Sequence, residues 1–528
     1  MRYFRRLPSF VLAAALIGAG TYSPDDDGTK PPPGLQRTTM SLASLRADHA
    51  KADGRQQSHS FVEHWTVTSD GLTGTMVLTQ RGNDDREDEV LANSLHTAEG
   101  WLGGREWSQN ENGEMTYPTG IHRRTEIDAA AFAAGPDATL LGKLEQPSDY
   151  VVRVDPPDGR LEFVYVNAST FLIDRVDMAV DGGRTVITYE DYRKFSGAMV
   201  PGRVHTLITR TGVERDRMLQ SIADVPSGDA PLTMPSPSTP LAEAHFPVTL
   251  PAQILSDRII VTARLGGRTV NLQLDSGAAG VAIDRSVIDA LQIPTIGSST
   301  GTMAGNYSVS RAIVPELLLG GASFHNLTVD AIPFAQYADD RTVVAGLLGF
   351  DVLDTAVFKI DYVNDSVTMY DPASFTPPTG AYAQSIALDD WVPVLPITIG
   401  GATGKHFILD TGADRSTIYS AFRKAYPAAV VDQGLGTRLR DSFPFETHFL
   451  GVGGQVSYRP VQVNSLTVGG ITLDNWLLDT TYDAASFEGE DEDGLIGQDV
   501  LRYFDVYLDY PHATIYFLPN SRYRDRFG

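Results

Sequence analysis

Arg258–Leu274 reads RIIVTARLGGRTVNLQL and runs directly into Asp275-Ser276-Gly277. Two apolar, alternating runs flank Gly266-Gly267, the pattern of a β-hairpin with a tight glycine turn. The arrangement returns at Val394–Leu409, VLPITIGGATGKHFIL, which breaks at Gly400-Gly401 and ends on Asp410-Thr411-Gly412. Further on, Gly346-Leu347-Leu348-Gly349 opens into FDVLDTAVFKIDY. Gly494-Leu495-Ile496-Gly497, 148 positions later, opens into QDVLRYFDVYLDY, with Asp-Val-Leu and Asp-Tyr in register. The two acids lie 135 positions apart, so the second copy is longer between its acid and its Gly-apolar-apolar-Gly. Much of that excess falls before Leu319-Gly320-Gly321 and its counterpart Val468-Gly469-Gly470. A repeat of this length is too long for a solenoid unit. It describes a β-rich lobe present twice.

A single Asp-(Ser/Thr)-Gly arises by chance roughly once in every few chains of this length. Alone it is an ordinary turn, since Asp and Gly both favour turns. Its recurrence at the ends of equivalent strands points to chemistry instead. Two carboxylates brought together cannot both be ionised, so one holds a proton while the other takes one from water.

On these motifs, residues 253–520 resemble the retropepsin-like and pepsin-like aspartic peptidases, in which each lobe supplies one such loop. The resemblance implies a mainly β fold, a bilobal pepsin/retropepsin-like β-barrel pair. It implies that Asp275 and Asp410 are the catalytic acids, and that Ser276 and Thr411 hydrogen-bond across to the opposite loop. Gly277 and Gly412 would let backbone N–H groups approach the carboxylates. Leu348-Gly349 and Ile496-Gly497 match the apolar-Gly pair beneath the loops. A flap is expected at Gly451, Val452, Gly453 and Gly454, where glycines would give a lid its mobility. In the first lobe Gly301–Gly305, followed by Tyr307, is a flap candidate that reads equally as a surface turn. Alanine follows both motifs, at Ala278 and Ala413, so no hydroxyl donates to the acids there. The pair is therefore expected to keep its shared proton toward neutral pH.

The 528 residues carry a formal charge of −24 and no cysteine. The charge disfavours nucleic acid and anionic membrane surfaces. Without cysteine there are no disulfides, thiolate nucleophiles or Cys-based zinc sites. The 11 histidines show no metal-ligand spacing, and no phosphate-binding loop or nucleophile elbow occurs. No metal or cofactor is expected. Arg2, Arg5 and Arg6 precede the apolar run Phe10–Ala19, which reads as a secretory signal peptide and is too short to span a bilayer. Periplasmic or secreted localisation is expected, without stable membrane insertion.

Between about Ser60 and Ile222 the chain reads as successive short strands, with one helix expected within Ala129–Leu144. Trp65, Trp101, Trp107, Tyr165, Tyr189 and Tyr192 read as core aromatics. Arg175, Tyr189-Glu190-Asp191-Tyr192, Gly197 and Pro201 are similar to the outer-membrane lipoprotein carrier fold, an incomplete barrel clasping a helix. That resemblance implies a concave face able to bind an acyl chain or a peptide.

Prolines at 231, 235, 237 and 240 mark a linker, and Pro372–Gly380 punctuates again. The organisation expected is a signal peptide at 1–22, a disordered lead at 23–45 and a separate β-rich N-terminal domain at 46–225. A Pro-rich linker at 226–252, a first lobe at 253–372, an interlobe linker at 373–385 and a second lobe at 386–520 follow. The acidic run Glu488–Asp493 reads as a solvated loop. The function expected is an exported aspartic endopeptidase acting on polypeptides, a monomer with an intrachain pseudo-dimer. The alternative is a catalytically silent peptide- or lipid-binding periplasmic protein using the lobes as a clamp.

Overall fold

A computed structural model of the chain describes residues 29–54, 60–69, 71–118, 121–157, 159–180, 183–209, 212–225, 231–255, 258–302, 306–334, 344–389, 391–430, 447–451, 454–481 and 492–528. The signal-peptide segment and most of the acidic run lie outside them. Of the described residues, 29–111 and 117–236 form one compact unit, and 112–116 and 237–528 form another.

In the first unit, one antiparallel sheet carries two strand meanders. Phe61–Ser69, Leu72–Arg81, Asp84–Leu91, Leu95–Leu102 and Arg105–Gln109 pair in sequence. Ala138–Lys143, Asp149–Val154, Glu162–Asn167, Ile173–Val180, Gly183–Glu190, Arg203–Ile208 and Val213–Asp224 make the other. Pairing of Phe61–Ser69 with Val213–Asp224 joins the two. Helix Leu42–Asp53 packs against helix Ile121–Ala134. There Arg46 donates to the carbonyls of Phe132 at 2.6 Å, Ala131 at 2.7 Å and Gly135 at 2.8 Å. A guanidinium thus satisfies carbonyls left over at a helix C-terminus.

The helix starts eight residues before the stretch expected to hold it, and Ala138–Lys143 is a strand. Gly135-Pro136 ends the helix after the alanine run, and the chain that follows pairs with Asp149–Val154. Trp65, Trp107, Tyr165 and Tyr189 are core residues, as expected, whereas Trp101 and Tyr192 are only half-buried.

The second unit holds both Asp-(Ser/Thr)-Gly motifs. In each lobe the hairpin that ends on the acid is one component: Arg258–Leu265 with Arg268–Leu274, and Val392–Ile399 with Ala402–Leu409. A second component is a run of longer strands. In the first lobe these are Thr295–Thr302, Asn306–Leu319 and Ala322–Ile332; in the second, Thr447–Gly451, Gly454–Val468 and Ile471–Thr480. Helices are short: Arg285–Ala290, Phe350–Leu353, Ser420–Ala425, Gln498–Leu501 and Ser521–Phe527 among the described residues.

A third sheet joins the lobes, in the order Val248–Leu250, Ser366–Tyr370, Val357–Asp361, Phe504–Asp509, Thr514–Pro519 and Tyr382–Ser385. At its centre Phe358 pairs with Leu508, Lys359 with Tyr507 and Ile360 with Val506. Lys359 Nζ lies 2.8 Å from Asp361 and 3.3 Å from Asp505. One apolar core runs through both lobes and this platform, from Val248 and Leu274 to Leu409, Phe504 and Phe517. Leu241–Ala244 and Val248–Leu250, read as linker in the sequence, are strands of this unit. Tyr382–Ser385, at the end of the expected interlobe linker, pairs with Thr514–Pro519.

Candidate active site

The acids are placed by a strand arrangement that each lobe repeats. Gly346–Leu348 runs parallel to Arg268–Leu274 and antiparallel to Ala282–Asp284. Gly494–Ile496 does the same with Ala402–Leu409 and Thr417–Ile418. Asp275 N–H donates to the Leu348 carbonyl at 3.0 Å, and Asp410 N–H to the Ile496 carbonyl at 2.9 Å. Each acid therefore leaves its strand at the equivalent position of its own lobe's sheet.

The loops then lock together. Ser276 N–H donates to Thr411 Oγ1 and Thr411 N–H to Ser276 Oγ, each at 2.9 Å. Ser276 Oγ donates onward to the Leu409 carbonyl at 2.6 Å, and Thr411 Oγ1 to the Leu274 carbonyl at 3.0 Å. Both side chains are fully buried. The glycines permit the approach: a Cβ on Gly277 would lie 2.6 Å from Asp410 Cγ, and one on Gly412 would lie 2.4 Å from Asp275 Cγ. Each loop backbone thus sits against the opposite acid.

The two carboxyls, each half-buried, lie close enough to perturb one another. Burial raises the Asp275 pKa well above the usual carboxylate range, and the nearby Asp410 carboxylate raises it further. Burial also raises Asp410, opposed by N–H groups on the ionised form. Gly412 N–H reaches Asp410 Oδ1 at 2.7 Å and Ala413 N–H at 3.1 Å, while Gly277 N–H reaches Asp275 Oδ1 at 2.9 Å. Burial raises both acids and their charges repel, so the two titrate as one pair rather than as separate carboxyls.

Other groups act beneath the loops that sequence reasoning did not single out. Asp351 Oδ2 accepts from Val281 N–H at 2.8 Å. Asp499 Oδ1 accepts from Ser416 N–H at 2.8 Å and Ser416 Oγ at 2.6 Å. These are the aspartates of the recurring Asp-Val-Leu, so their recurrence in register was the available signal. Gln498 Nε2 donates to the Thr411 carbonyl at 2.5 Å, and the Tyr510 hydroxyl to the Ser276 carbonyl at 3.4 Å. Asp354, beside Asp351, is pushed up to about 7 by burial and then by the Asp351 charge.

Hairpins stand where flaps were looked for in both lobes. In the first, Gly301 pairs with Tyr307 and Thr302 with Asn306, and the tip at 303–305 lies outside the described residues. In the second, Gly451 pairs with Gly454, and Val452 and Gly453 lie outside them.

The sheet of the first unit has a charged seam. Arg215 and Glu89, both buried, meet at 2.5 Å, with Glu87 3.5 Å from the same guanidinium. Burial pushes Glu89 up to about 7 against the pull of Arg215.

Residues 261–352 and 395–500 match the family described as aspartyl protease, and the segments contain Asp275 and Asp410 respectively. No curated protein matches the chain. Among solved structures, an aspartic proteinase from Irpex lacteus is similar at 14% identity and TM-score 0.33, over 52% of this chain and 98% of that one. A LolA superfamily protein from Nitrosomonas europaea is similar at 15% identity and TM-score 0.27, over 36% of this chain and 96% of that one. A DUF1329 family protein from Desulfovibrio piger is similar at 13% identity and TM-score 0.29, over 36% and 96%. No helix among the described residues is long and apolar enough to cross a membrane.

Proposed function

We propose that the chain is an exported aspartic endopeptidase that hydrolyses peptide bonds with a water activated by Asp275 and Asp410. The observation that carries this reading is the interlock of two equivalent loops, in which Ser276 and Thr411 grip each other and the backbone of each loop sits against the opposite acid. That interlock supports a dyad sharing one proton.

The ionised acid of the pair takes a proton from water as the oxygen attacks the scissile carbonyl carbon. Its protonated partner gives a proton to the carbonyl oxygen, forming a neutral gem-diol. The gem-diol collapses as one hydroxyl returns its proton to a carboxylate and the leaving nitrogen takes the other acid's proton. No covalent intermediate forms. Export rests on the sequence of residues 1–22. The substrate is polypeptide, crossing both lobes under the hairpins.

The test is digestion of a peptide library by wild type, Asp275→Asn, Asp410→Asn and the double variant. Each single change should reduce cleavage by more than about 1,000-fold, and the double change should add little, because the acids act as one unit. Full activity in either single variant would refute the dyad. A folded wild type that cuts nothing leaves the silent clamp as the reading.

A further inference from the structure

The repeat allows each position beside the first acid to be compared with its mate beside the second. Ala282, seven residues after Asp275, is paired with Asp330 and Leu347. Thr417, seven after Asp410, is paired with Asp479 and Leu495. The register therefore equates Ala279 with Asp414, Gly280 with Arg415, Val281 with Ser416, Ala282 with Thr417 and Ile332 with Thr481. Every member on the first-lobe side is apolar or lacks a side chain. Every member on the second-lobe side is charged or hydroxylated. The acid beyond them is common to both sides, since Asp330, the mate of Asp479, is held by Arg311, so the flanks differ in the stretch that follows each catalytic acid and in the Ile332/Thr481 pair.

The first flank is an apolar cluster separate from the main core. Ala278, Ala282, Ile332 and Leu347 are buried in it, and Tyr307 joins them from the end of the first-lobe hairpin nearest its tip. On the second flank Arg415 follows Asp410 by five residues, which places it within ~17 Å along even a fully extended chain. Its Nε donates to Asp479 Oδ2 at 2.6 Å and its Nη2 to Oδ1 at 3.4 Å. Asp479 is buried, while the Arg415 side chain keeps 34% of its exposure. A buried acid therefore fixes the guanidinium by one edge, and Nη1 bonds nothing among the described residues. Thr481 adds an independent sign. It is 1% exposed, and its Oγ1 has no hydrogen-bond partner among the described residues, where the mirror position holds Ile332. A buried hydroxyl without a partner is costly unless something else satisfies it.

We infer that the second-lobe flank is a polar subsite: it takes a substrate side chain with an amide or carboxylate oxygen, received by Arg415 Nη1, while the first-lobe flank takes an apolar side chain. Substrate direction follows from this difference, which two identical lobes would not impose. The inference rests on the peptidase reading for its substrate, and its test separates the two.

Cleavage of a randomised peptide library is profiled by mass spectrometry for wild type, Thr481→Ile and the double variant Arg415→Gly with Asp479→Asn. The double variant installs the first-lobe glycine without leaving a buried aspartate unpaired. The same peptides, fluorescently labelled, are titrated against Asp275→Asn to read binding without turnover. Wild type should favour apolar residues on one side of the bond and Gln, Glu, Asn or Asp on the other. In the double variant, kcat/KM for the best polar peptide should fall roughly 10–100-fold, the effect of losing a hydrogen bond to a charged group. An all-apolar peptide should stay within about threefold. Thr481→Ile should shift selection toward apolar residues. An apolar preference on both sides in wild type, or a polar preference that survives the double variant, overturns the inference. Polar-selective binding without any wild-type cleavage would remove the peptidase reading and keep the subsite. Neither cleavage nor binding would remove both.

Discussion

Ser276→Ala isolates the interlock of the two loops without touching either acid. The lost Oγ accepts from Thr411 N–H at 2.9 Å and donates to the Leu409 carbonyl at 2.6 Å, in a fully buried setting. Its removal strands one buried N–H and one buried carbonyl, at about 1–3 kcal/mol each. The variant should therefore lose about 2–6 kcal/mol. At ~2–4 °C per kcal/mol, the second unit should melt roughly 5–20 °C lower. Ser276→Thr should stay near wild type, because Thr411 makes the mirror-image bonds from the equivalent position. Differential scanning calorimetry on the full chain reads both variants, with urea unfolding as a second measure. A Ser276→Ala protein within ~0.5 kcal/mol of wild type, or a Ser276→Thr protein equally destabilised, would refute the view that the hydroxyl holds the loops.

Asp354→Asn should stabilise the protein at pH 7–8 by roughly 1–4 kcal/mol and leave it unchanged below about pH 4. The folded pKa of about 7 lies above the unfolded value, so wild-type stability is full at low pH and declines as pH rises toward 7; urea unfolding across pH reads the difference. Ala413→Ser should move the upper limb of the kcat/KM profile to lower pH, because a hydroxyl donating to ionised Asp410 favours the charged form. Position 413 is the cleaner test: Ala278 is buried, and even a Cβ on Gly349 would lie 2.8 Å from the Ala278 methyl. In the first unit, Arg215→Met should cost about 3–5 kcal/mol at neutral pH by leaving Glu87 and Glu89 buried together, and the loss should shrink as pH falls and the acids protonate. Its calorimetric transition checks this.

The hairpins that end on Asp275 and Asp410 were legible because glycine pairs and alternation are local signals. So was the parallel strand beneath them, since Gly346 and Gly494 recur with their neighbours. What escaped depends on partners distant in sequence. Asp84–Leu91, DDREDEVL, alternates like a solvated strand, yet buries Asp85, Glu87 and Glu89, and the arginine that pairs with Glu89 is Arg215. Gln498 occupies the place of Phe350, and only the folded loops make it a donor to Thr411. Val248–Leu250 lies near the prolines of the linker, and its strand character comes from Ser366–Tyr370 rather than from its own residues.

The seam between the lobes has a consequence for how the chain finds its own halves. The repeat equates Phe358 with Val506 and Ile360 with Leu508, so the pairs Phe358–Leu508 and Ile360–Val506 exchange under a half-turn. Such an edge invites a second copy of the same lobe as readily as the intended one. Lys359 removes that ambiguity. It faces Tyr507, with Nζ 6.0 Å from the ring centroid, and reaches Asp505 of the other lobe. Two first lobes joined in this register would set Lys359 against Lys359 at the axis, with Val357 where Asp505 belongs. Like charges placed directly opposite destabilise a strand pair. Two second lobes would bring Asp505 to the seam with no lysine to meet it. One residue thus disfavours the pairing of like lobes and leaves a first lobe to pair with a second.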